Sequence, residues 1–385
     1  SNSFRPHYNR VMYGLGVGES LFRYEDTSMG TLRRAVDACV NEDSRGTVRF
    51  KSVVAYHDPI EVIDEVRYRL DNSDVVVSDQ GDHYRIDLSR VIERSDIEGG
   101  KRIVEGSFAL FSHSGSNIWT AVTGHGPDFY KRGLEWLFKR TEPDVSNFYI
   151  DSGSIRSVIQ NWEHTLASDI QILAVETVAY SHTDEGNISY ETRPYREAFL
   201  AAEEDNRYVD KIKFVARGDE ERIVLKGFIS RGGHLKLLQG SVSMFFDTVL
   251  PQYATEGQKK VDVVTDKERS SETGEVSQIE LNFEETVFGD VSDNERLIKA
   301  LEGLTNTNVT VYHNNPYAHV SVLDLIDGSS CDVFVTEPDT VSIVPSYKGS
   351  PNSLMRISEQ LSRELDEGRF ASMEQPDYEF ADFFA

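Results

Sequence analysis

One pattern recurs three times along this chain: a short strand, then a helix, then a second strand that ends in Tyr. The three tyrosines are Tyr56, Tyr180 and Tyr312, which are 124 and 132 residues apart. Self-similarity at a regular spacing is typical of chains built from repeated structural units. Few residues are identical between the copies, so the order of the elements carries the prediction. The sequence therefore predicts two to three repeat-related units.

Each copy continues with further strands and closes with an amphipathic helix. Residues 84–88, Tyr-Arg-Ile-Asp-Leu, alternate between polar and apolar as a half-buried strand does. In the third copy, Leu354, Ile357, Leu361 and Leu365 recur at helical intervals. Gly232-Gly233 predicts a tight turn between two strands of the second copy. These patterns predict an α+β fold of antiparallel sheets with packed helices.

The third copy has the predicted order β-α-β-β-β-β-α, which resembles one repeat of the TATA-binding-protein fold. The resemblance covers about 90 residues, is topological, and includes no sequence motif. The DNA-binding face of such a saddle carries Arg, Lys and wedging Phe side chains. The strands of the third copy carry Asp324, Asp332 and Glu337 instead. The resemblance therefore implies a fold and no DNA binding, and whether another part of the chain binds nucleic acid is left open.

Changes in composition indicate the boundaries between units. Residues 255–277 are polar and contain no aromatic residue, which is typical of a linker. The closing helix of the second unit is expected near residues 243–250, and Pro251 is expected to end it. The predicted organisation is an N-terminal lead (1–19), unit one (20–145), unit two (146–254), a polar linker (255–277), unit three (278–370) and an acidic-aromatic C-terminal tail (371–385).

The charge balance limits which partners the surface can hold. The chain has 40 Lys and Arg residues against 65 Asp and Glu residues, which gives a net charge of −25. This argues against a general phosphate-binding surface, although a local basic groove remains compatible with a negative total. With 27 Arg and only 13 Lys, the composition is also that expected of a protein from a high-salt cytoplasm. The alternative is an ordinary acidic protein.

Other features of the whole chain argue against several classes of protein. Two cysteines, Cys39 and Cys331, cannot build a disulfide framework or a cysteine-based zinc site. No run of 18 apolar residues is present, and the first residues lack a signal-peptide core. We therefore expect a cytoplasmic protein without membrane association. No motif predicts a cofactor or a metal site.

Two glycine-containing loops are the best candidates for catalysis. Residues 111–115 contain His113, and residues 123–128 contain His125 and Asp128. His125 is a candidate general base that Asp128 would orient, at a helix N-terminus able to receive an anion. The alternative is an ordinary turn with a helix cap. Gly-x-Ser-x-Gly and Walker A motifs are absent.

The C-terminal tail combines acidic and aromatic residues, reading Glu-Gln-Pro-Asp-Tyr-Glu-Phe-Ala-Asp-Phe-Phe-Ala over 374–385. Asp377, Phe380, Phe383 and Phe384 form a pattern that resembles the sliding-clamp-interacting peptide of archaea and eukaryotes. That motif has Gln and an aliphatic residue where this chain has Asp377 and Phe380. The resemblance implies docking to a clamp through one helical turn. The alternative is that the tail packs against its own protein.

Three functions remain as hypotheses from the sequence. The leading one is a non-enzymatic partner-binding or accessory protein, in DNA replication or repair, with a tail that binds a sliding clamp. The second is a hydrolase or nuclease with its site near His113, His125 and Asp128. The third is a structural protein whose exposed sheet edges pair between chains.

Overall fold

The computed structural model describes residues 30, 32–34, 36, 47–93, 100–142, 144–166, 169–179, 187–189, 191–205, 207–218, 221–265, 278–283, 286–326, 328–347, 350–365 and 368–372. Within these ranges the chain is mixed α+β, with antiparallel sheets and packed helices, which confirms the predicted class. The predicted N-terminal lead and most of the C-terminal tail lie outside the described residues. That the units are repeats of one another stays a prediction.

Units one and two share a single twelve-stranded antiparallel sheet. Its strands are β1 (Val48–Ala55), β2 (Ser73–Asp79), β3 (Tyr84–Glu93), β4 (Lys101–Ser112), β5 (Ile118–Thr123), β6 (Val145–Asn147), β7 (Asp169–Ala179), β8 (Asn187–Ser189), β9 (Arg193–Pro194), β10 (Arg207–Arg217), β11 (Ile223–Ser230) and β12 (His234–Gly240). The order is β2-β3-β4-β5-β1-β12-β11-β10-β7-β8, with β6 beside β1 and β9 beside β7. The two units therefore meet where β1 pairs with β12.

Unit three forms a second, six-stranded sheet. Its strands are β13 (Ile279–Asn282), β14 (Thr307–His313), β15 (His319–Asp324), β16 (Ser330–Glu337), β17 (Thr340–Tyr347) and β18 (Arg369–Ser372). They lie in the order β14-β15-β16-β17-β13-β18. The chain visits β13, a helix, then β14 to β17 and another helix before it reaches β18.

The helices are α1 (Pro59–Arg67), α2 (Pro127–Phe129, a π-helical turn Tyr130–Leu134, and Glu135–Arg140), α3 (Ser152–Leu166), α4 (Tyr195–Glu204), α5 (Val242–Met244, a π-helical turn Phe245–Val249, and Leu250–Thr265), α6 (Val291–Glu302) and α7 (Pro351–Glu364). Proline at the first helical position begins α1, α2 and α7. None of the helices in the described ranges is long and apolar enough to cross a membrane.

Alternation along β1 separates two hydrophobic cores, one on each face of the large sheet. Val48, Phe50 and Val54 join the larger core with α3 and α5. Val53 and Ala55 join a smaller core beneath α2. Every residue of β1 is buried, because helices cover both faces of this strand. The larger core continues into unit three, whose α7 packs against α5.

The polar linker predicted at 255–277 begins instead as helix, because α5 continues to Thr265. Pro251 does not end this helix. The π-helical turn 245–249 immediately before it changes the backbone hydrogen-bond pattern where proline lacks an N–H donor. Tyr253, Ala254 and Val261 are buried in the larger core, so apolar spacing prevails over the polar average composition. Residues 266–277 lie outside the described ranges.

The tail boundary predicted at residue 371 is two residues too early. Ala371 and Ser372 belong to β18, where they pair with Glu280 and Ile279 of β13. Backbone pairing to an edge of the second sheet therefore extends unit three to residue 372.

Candidate functional site

The strands β10, β11 and β12 turn apolar side chains to one face and cationic side chains to the other. In β10, Ile212 and Phe214 are fully buried in the larger core, whereas Lys213 between them is exposed. In β12, Leu235 and Leu237 are likewise buried, and Lys236 between them is partly exposed. This is the alternation expected of strands with one covered and one open face.

Strand pairing arranges the outward side chains in rows across the sheet. Lys213 is opposite Phe228, which is opposite Lys236, which in turn is opposite Arg49 of β1. A neighbouring row has Lys211 opposite Ser230 and Lys51 opposite His234. We call this surface the basic face and define it by Lys211, Lys213, Lys226, Phe228 and Lys236; Arg49, at its border with β1, is buried.

The basic face is an exception in this acidic chain. Strands β10 to β12 carry six Lys or Arg residues and one acid. Lys211 is paired with that acid, Asp210, at 3.3 Å. Lys213, Lys226 and Lys236 form no ion pair with any carboxylate in the part of the chain that the structure describes. In a protein with 25 more acids than bases, three unpaired lysines on one face are a concentrated positive charge.

Lys236 and His234 both have lowered pKa values, and nearby positive charge contributes to each. Burial and then repulsion from Arg49, Lys131 and Lys211 lower the pKa of Lys236. Burial and then repulsion from Lys51, Lys211 and Lys236 lower the pKa of His234 to about 3. His234 is therefore neutral at pH 7, and its 3.4 Å contact with Glu135 is not an ion pair there.

Helix α2 borders the basic face along β12. The Tyr130 hydroxyl donates to the Phe50 carbonyl at 2.9 Å and lies 2.8 Å from Nδ1 of His234. This arrangement assigns the imidazole proton to Nδ1, which then donates to the tyrosine oxygen. On its other side, His234 Nε2 lies 3.5 Å from the Nζ of Lys51, which donates to the Gly232 carbonyl at 2.9 Å. The network fixes the helix against the sheet.

His113, a predicted catalytic residue, is a half-buried side chain in the turn between β4 and β5. Its Nε2 lies 2.9 Å from the Thr120 hydroxyl, which is 3.1 Å from the hydroxyl of Ser52. Burial lowers the pKa of His113 to about 4. His125 follows the other end of the six-residue β5, about 20 Å away along the strand. The structure therefore does not bring these two histidines together.

The other two predicted catalytic residues are close in sequence but have different partners. Asp128 is paired with Arg102 at 2.9 Å and with Arg132 at 3.4 Å. The carbonyl oxygen of His125 accepts a hydrogen bond from Arg49 at 2.8 Å, and its ring lies 5.0 Å from that of Phe129. Arginines, and not His125, hold the Asp128 carboxylate. The predicted tail residues Asp377, Phe380, Phe383 and Phe384 lie outside the described residues.

The lowered pKa of His113 predicts a pH dependence of stability. A histidine that is neutral when folded and has its ordinary pKa of 6.5 when unfolded binds a proton preferentially in the unfolded state between pH 6.5 and 4. As the pH is lowered across this range, the free energy of unfolding should therefore decrease by about 1.4 kcal/mol more per pH unit in the wild type than in His113→Gln. Chemical denaturation from pH 7 to 4 measures this, with the exposed His57→Gln as control. Parallel pH profiles of wild type and His113→Gln would contradict the assignment.

The described residues also include a cleft of about 370 Å³ in unit three. It lies beside the start of α6 and is lined by Phe288, Asp290, Tyr317 and Glu337 among others, with no His, Lys or Arg. No group of three or more His, Cys, Asp or Glu side chains is placed to hold a metal ion among the residues that the structure describes. The cleft and the predicted catalytic histidines are therefore separate features.

Comparison with known proteins gives no matching family model and no curated relative. The chemistry of the basic face must therefore be argued from its own residues. Its sequence signal is modest: Lys211-Ile212-Lys213-Phe214 alternates charge with apolar residues, and Lys226 and Lys236 each stand alone on their strands.

Proposed function

We propose that this protein is a non-enzymatic accessory protein that binds nucleic acid, with the basic face as the binding surface for phosphates. The observation that carries the proposal is that Lys213, Lys226 and Lys236 have no carboxylate partner in the described part of an acidic chain. Lysine and arginine side chains are the groups that neutralise a phosphate backbone. A bound polyanion would offset the repulsion that, after burial, lowers the pKa of Lys236.

The net charge of −25 supports a restricted site. An acidic surface repels a polyanion everywhere except where cations are concentrated, so the charge distribution would limit binding to one face and one orientation. The strands of unit three fit this division, since they carry the solvent-accessible acids Asp332 and Glu337. The proposal places the protein in the cytoplasm, together with the nucleic acid.

Fluorescence anisotropy of a labelled oligonucleotide, titrated with the full chain, tests this function. Binding should weaken steeply between 50 and 200 mM salt, because each lysine–phosphate contact releases a condensed counterion. Absence of binding at 50 mM salt, or an affinity that does not change with salt, would contradict the proposal.

The tail supports a second part of the same proposal, which is recruitment to DNA replication or repair through a sliding clamp. The pattern of Asp377, Phe380, Phe383 and Phe384 is the basis for it. Because β18 ends at Ser372, a deletion of residues 373–385 removes the pattern and leaves the paired strand.

Deletion of residues 373–385 should abolish binding to the purified sliding clamp of the source organism and leave the melting temperature unchanged. Surface plasmon resonance and thermal melting measure the two effects. The matched control replaces Glu374 and Glu379 with Gln, which removes two negative charges from the tail and keeps the aromatic anchors. A truncated chain that still binds the clamp would contradict recruitment through the tail, and a large loss of stability would show that the tail packs against its own protein.

A further inference from the structure

We infer that the basic face binds single-stranded nucleic acid, with an unpaired base stacked on the ring of Phe228. This inference rests on the proposed function and names the class of nucleic acid that the same surface takes. The observation that carries it is the position of Phe228, a partly exposed aromatic ring in the middle of a row of cations.

The row has the dimensions of one nucleotide and its two phosphates. Phe228 lies between Lys213 and Lys236 in the strand register, one strand spacing of about 4.8 Å from each. A base on the ring would have its flanking phosphates within reach of the two flexible lysine side chains. Proteins that hold single strands combine these same elements, a basic groove and an aromatic ring for each stacked base.

A cation lies over the Phe228 ring in the structure, and the interaction energies favour its replacement by a base. The Nζ of Lys236 lies 5.0 Å from the centre of the Phe228 ring. An exposed cation–π contact contributes about 0.5–1 kcal/mol, whereas a base stacked on an aromatic side chain contributes about 1–3 kcal/mol. A base would therefore take the place of the Lys236 ammonium, which would move to a phosphate.

The surroundings favour one strand over two. Helix α2 borders β12 through Tyr130 and His234, so the accessible row from Lys236 to Lys213 lies beside a helix and spans only two strand spacings, about 10 Å. In a duplex the base faces are already stacked on one another and present only phosphates and sugars to a flat sheet. An apolar ring at the centre of the row would have no partner there, whereas an unpaired base supplies one.

The test compares a single-stranded oligonucleotide that contains 2-aminopurine with the corresponding duplex, using the full chain. Phe228→Ala should weaken single-strand binding about 5- to 150-fold and leave duplex binding unchanged. The salt dependence should stay the same, because no charge is removed. The wild type should quench 2-aminopurine fluorescence and Phe228→Ala should not. Phe228→Tyr should restore both affinity and quenching, whereas Phe228→Leu, which is apolar but not aromatic, should not.

Several outcomes would overturn the inference. The first is that Phe228→Ala weakens single-strand and duplex binding equally. The second is that Phe228→Leu binds the single strand with wild-type affinity, and the third is that the wild type binds the duplex more tightly than the single strand. In each of these cases salt-dependent binding would persist, and the proposed function would stand. Wild-type protein that binds neither form would refute both. Circular dichroism and a thermal melt establish that each variant is folded.

Discussion

Replacing Lys213, Lys226 and Lys236 together with glutamine should weaken oligonucleotide binding about 10²- to 10³-fold at 50 mM salt. Glutamine keeps the length and polarity of lysine and removes the charge, so the loss reports phosphate contacts. The slope of log affinity against log salt should become shallower by about two, since each contact to a single strand contributes about 0.7. Fluorescence anisotropy at several salt concentrations measures both quantities.

The control for this variant removes the same amount of charge elsewhere. Lys101, Lys259 and Lys299 are exposed, and Lys259 contacts the buried carboxylate of Glu256 at 2.6 Å. Their joint replacement with glutamine changes the net charge by the same amount as the triple variant of the basic face. We expect oligonucleotide affinity to change by less than about threefold. Equal losses in the two triple variants would mean that total charge, and not the basic face, governs binding.

Replacing Asp210 with alanine should lower the free energy of unfolding by about 3 kcal/mol. Its carboxylate accepts a hydrogen bond from Nε of Arg231 at 3.2 Å, and Arg231 is only 2% exposed. The Arg231 guanidinium also donates to the Tyr149 hydroxyl at 3.1 Å. Loss of the carboxylate removes an anion at hydrogen-bond distance from a buried cation, which is among the most destabilising kinds of single change in a folded protein. Urea denaturation followed by circular dichroism measures the effect.

Two further variants separate the buried pair from general loss of an acid. Asp210→Ala combined with Arg231→Met removes both charges and should be more stable than Asp210→Ala alone. Asp87→Ala breaks an exposed pair with Arg85, at 3.1 Å, and should cost less than about 1 kcal/mol. If the double variant were the least stable of the three, the pair would not act as a buried charge couple.

Arg231 matters for the basic face because of its place in the fold. It begins the turn that joins β11 to β12, the two strands that carry Lys226, Phe228 and Lys236. The turn is closed by Gly233 at φ +82°, where a Cβ would lie 2.5 Å from the Ser52 carbonyl oxygen. Sequence alone predicts this turn from Gly232-Gly233, and the structure confirms it.

Local patterns predict much of the fold. Residues 84–88, predicted as a half-buried strand, lie within β3, and Leu354, Ile357 and Leu361, predicted at helical intervals, lie on α7. Alternation of apolar and polar residues is a local signal that survives in the folded chain. The prediction that Pro251 ends α5 is wrong for a local reason, because a π-helical turn accommodates the proline.

The arrangement of the strands depends on contacts that no local pattern encodes. Whether units one and two form one sheet is decided by the pairing of β1 with β12, in which Val48 lies opposite Leu237. These residues are 189 positions apart. Pairing over such a distance depends on the whole core and not on propensity.

The candidate site is harder to predict than the fold for the same reason. Lys213, Lys226 and Lys236 stand on three different strands, and only the register of β10, β11 and β12 brings them onto one face with Phe228. The net charge of −25 predicts no general phosphate-binding surface, and a sum over the chain cannot reveal a local cluster. His125, which stands between two glycines, and His113, two residues before Gly115, are the catalytic candidates that the sequence indicates, yet β5 separates them.

The most direct test of the central claim is the affinity of the full chain for a single-stranded oligonucleotide, measured against salt concentration in the wild type and in the triple glutamine variant. We predict a steep linear fall of log affinity with log salt in the wild type, and a weaker affinity with a shallower slope in the variant. Coincident lines for the two proteins, or no measurable binding by the wild type at 50 mM salt, would contradict nucleic-acid binding by the basic face.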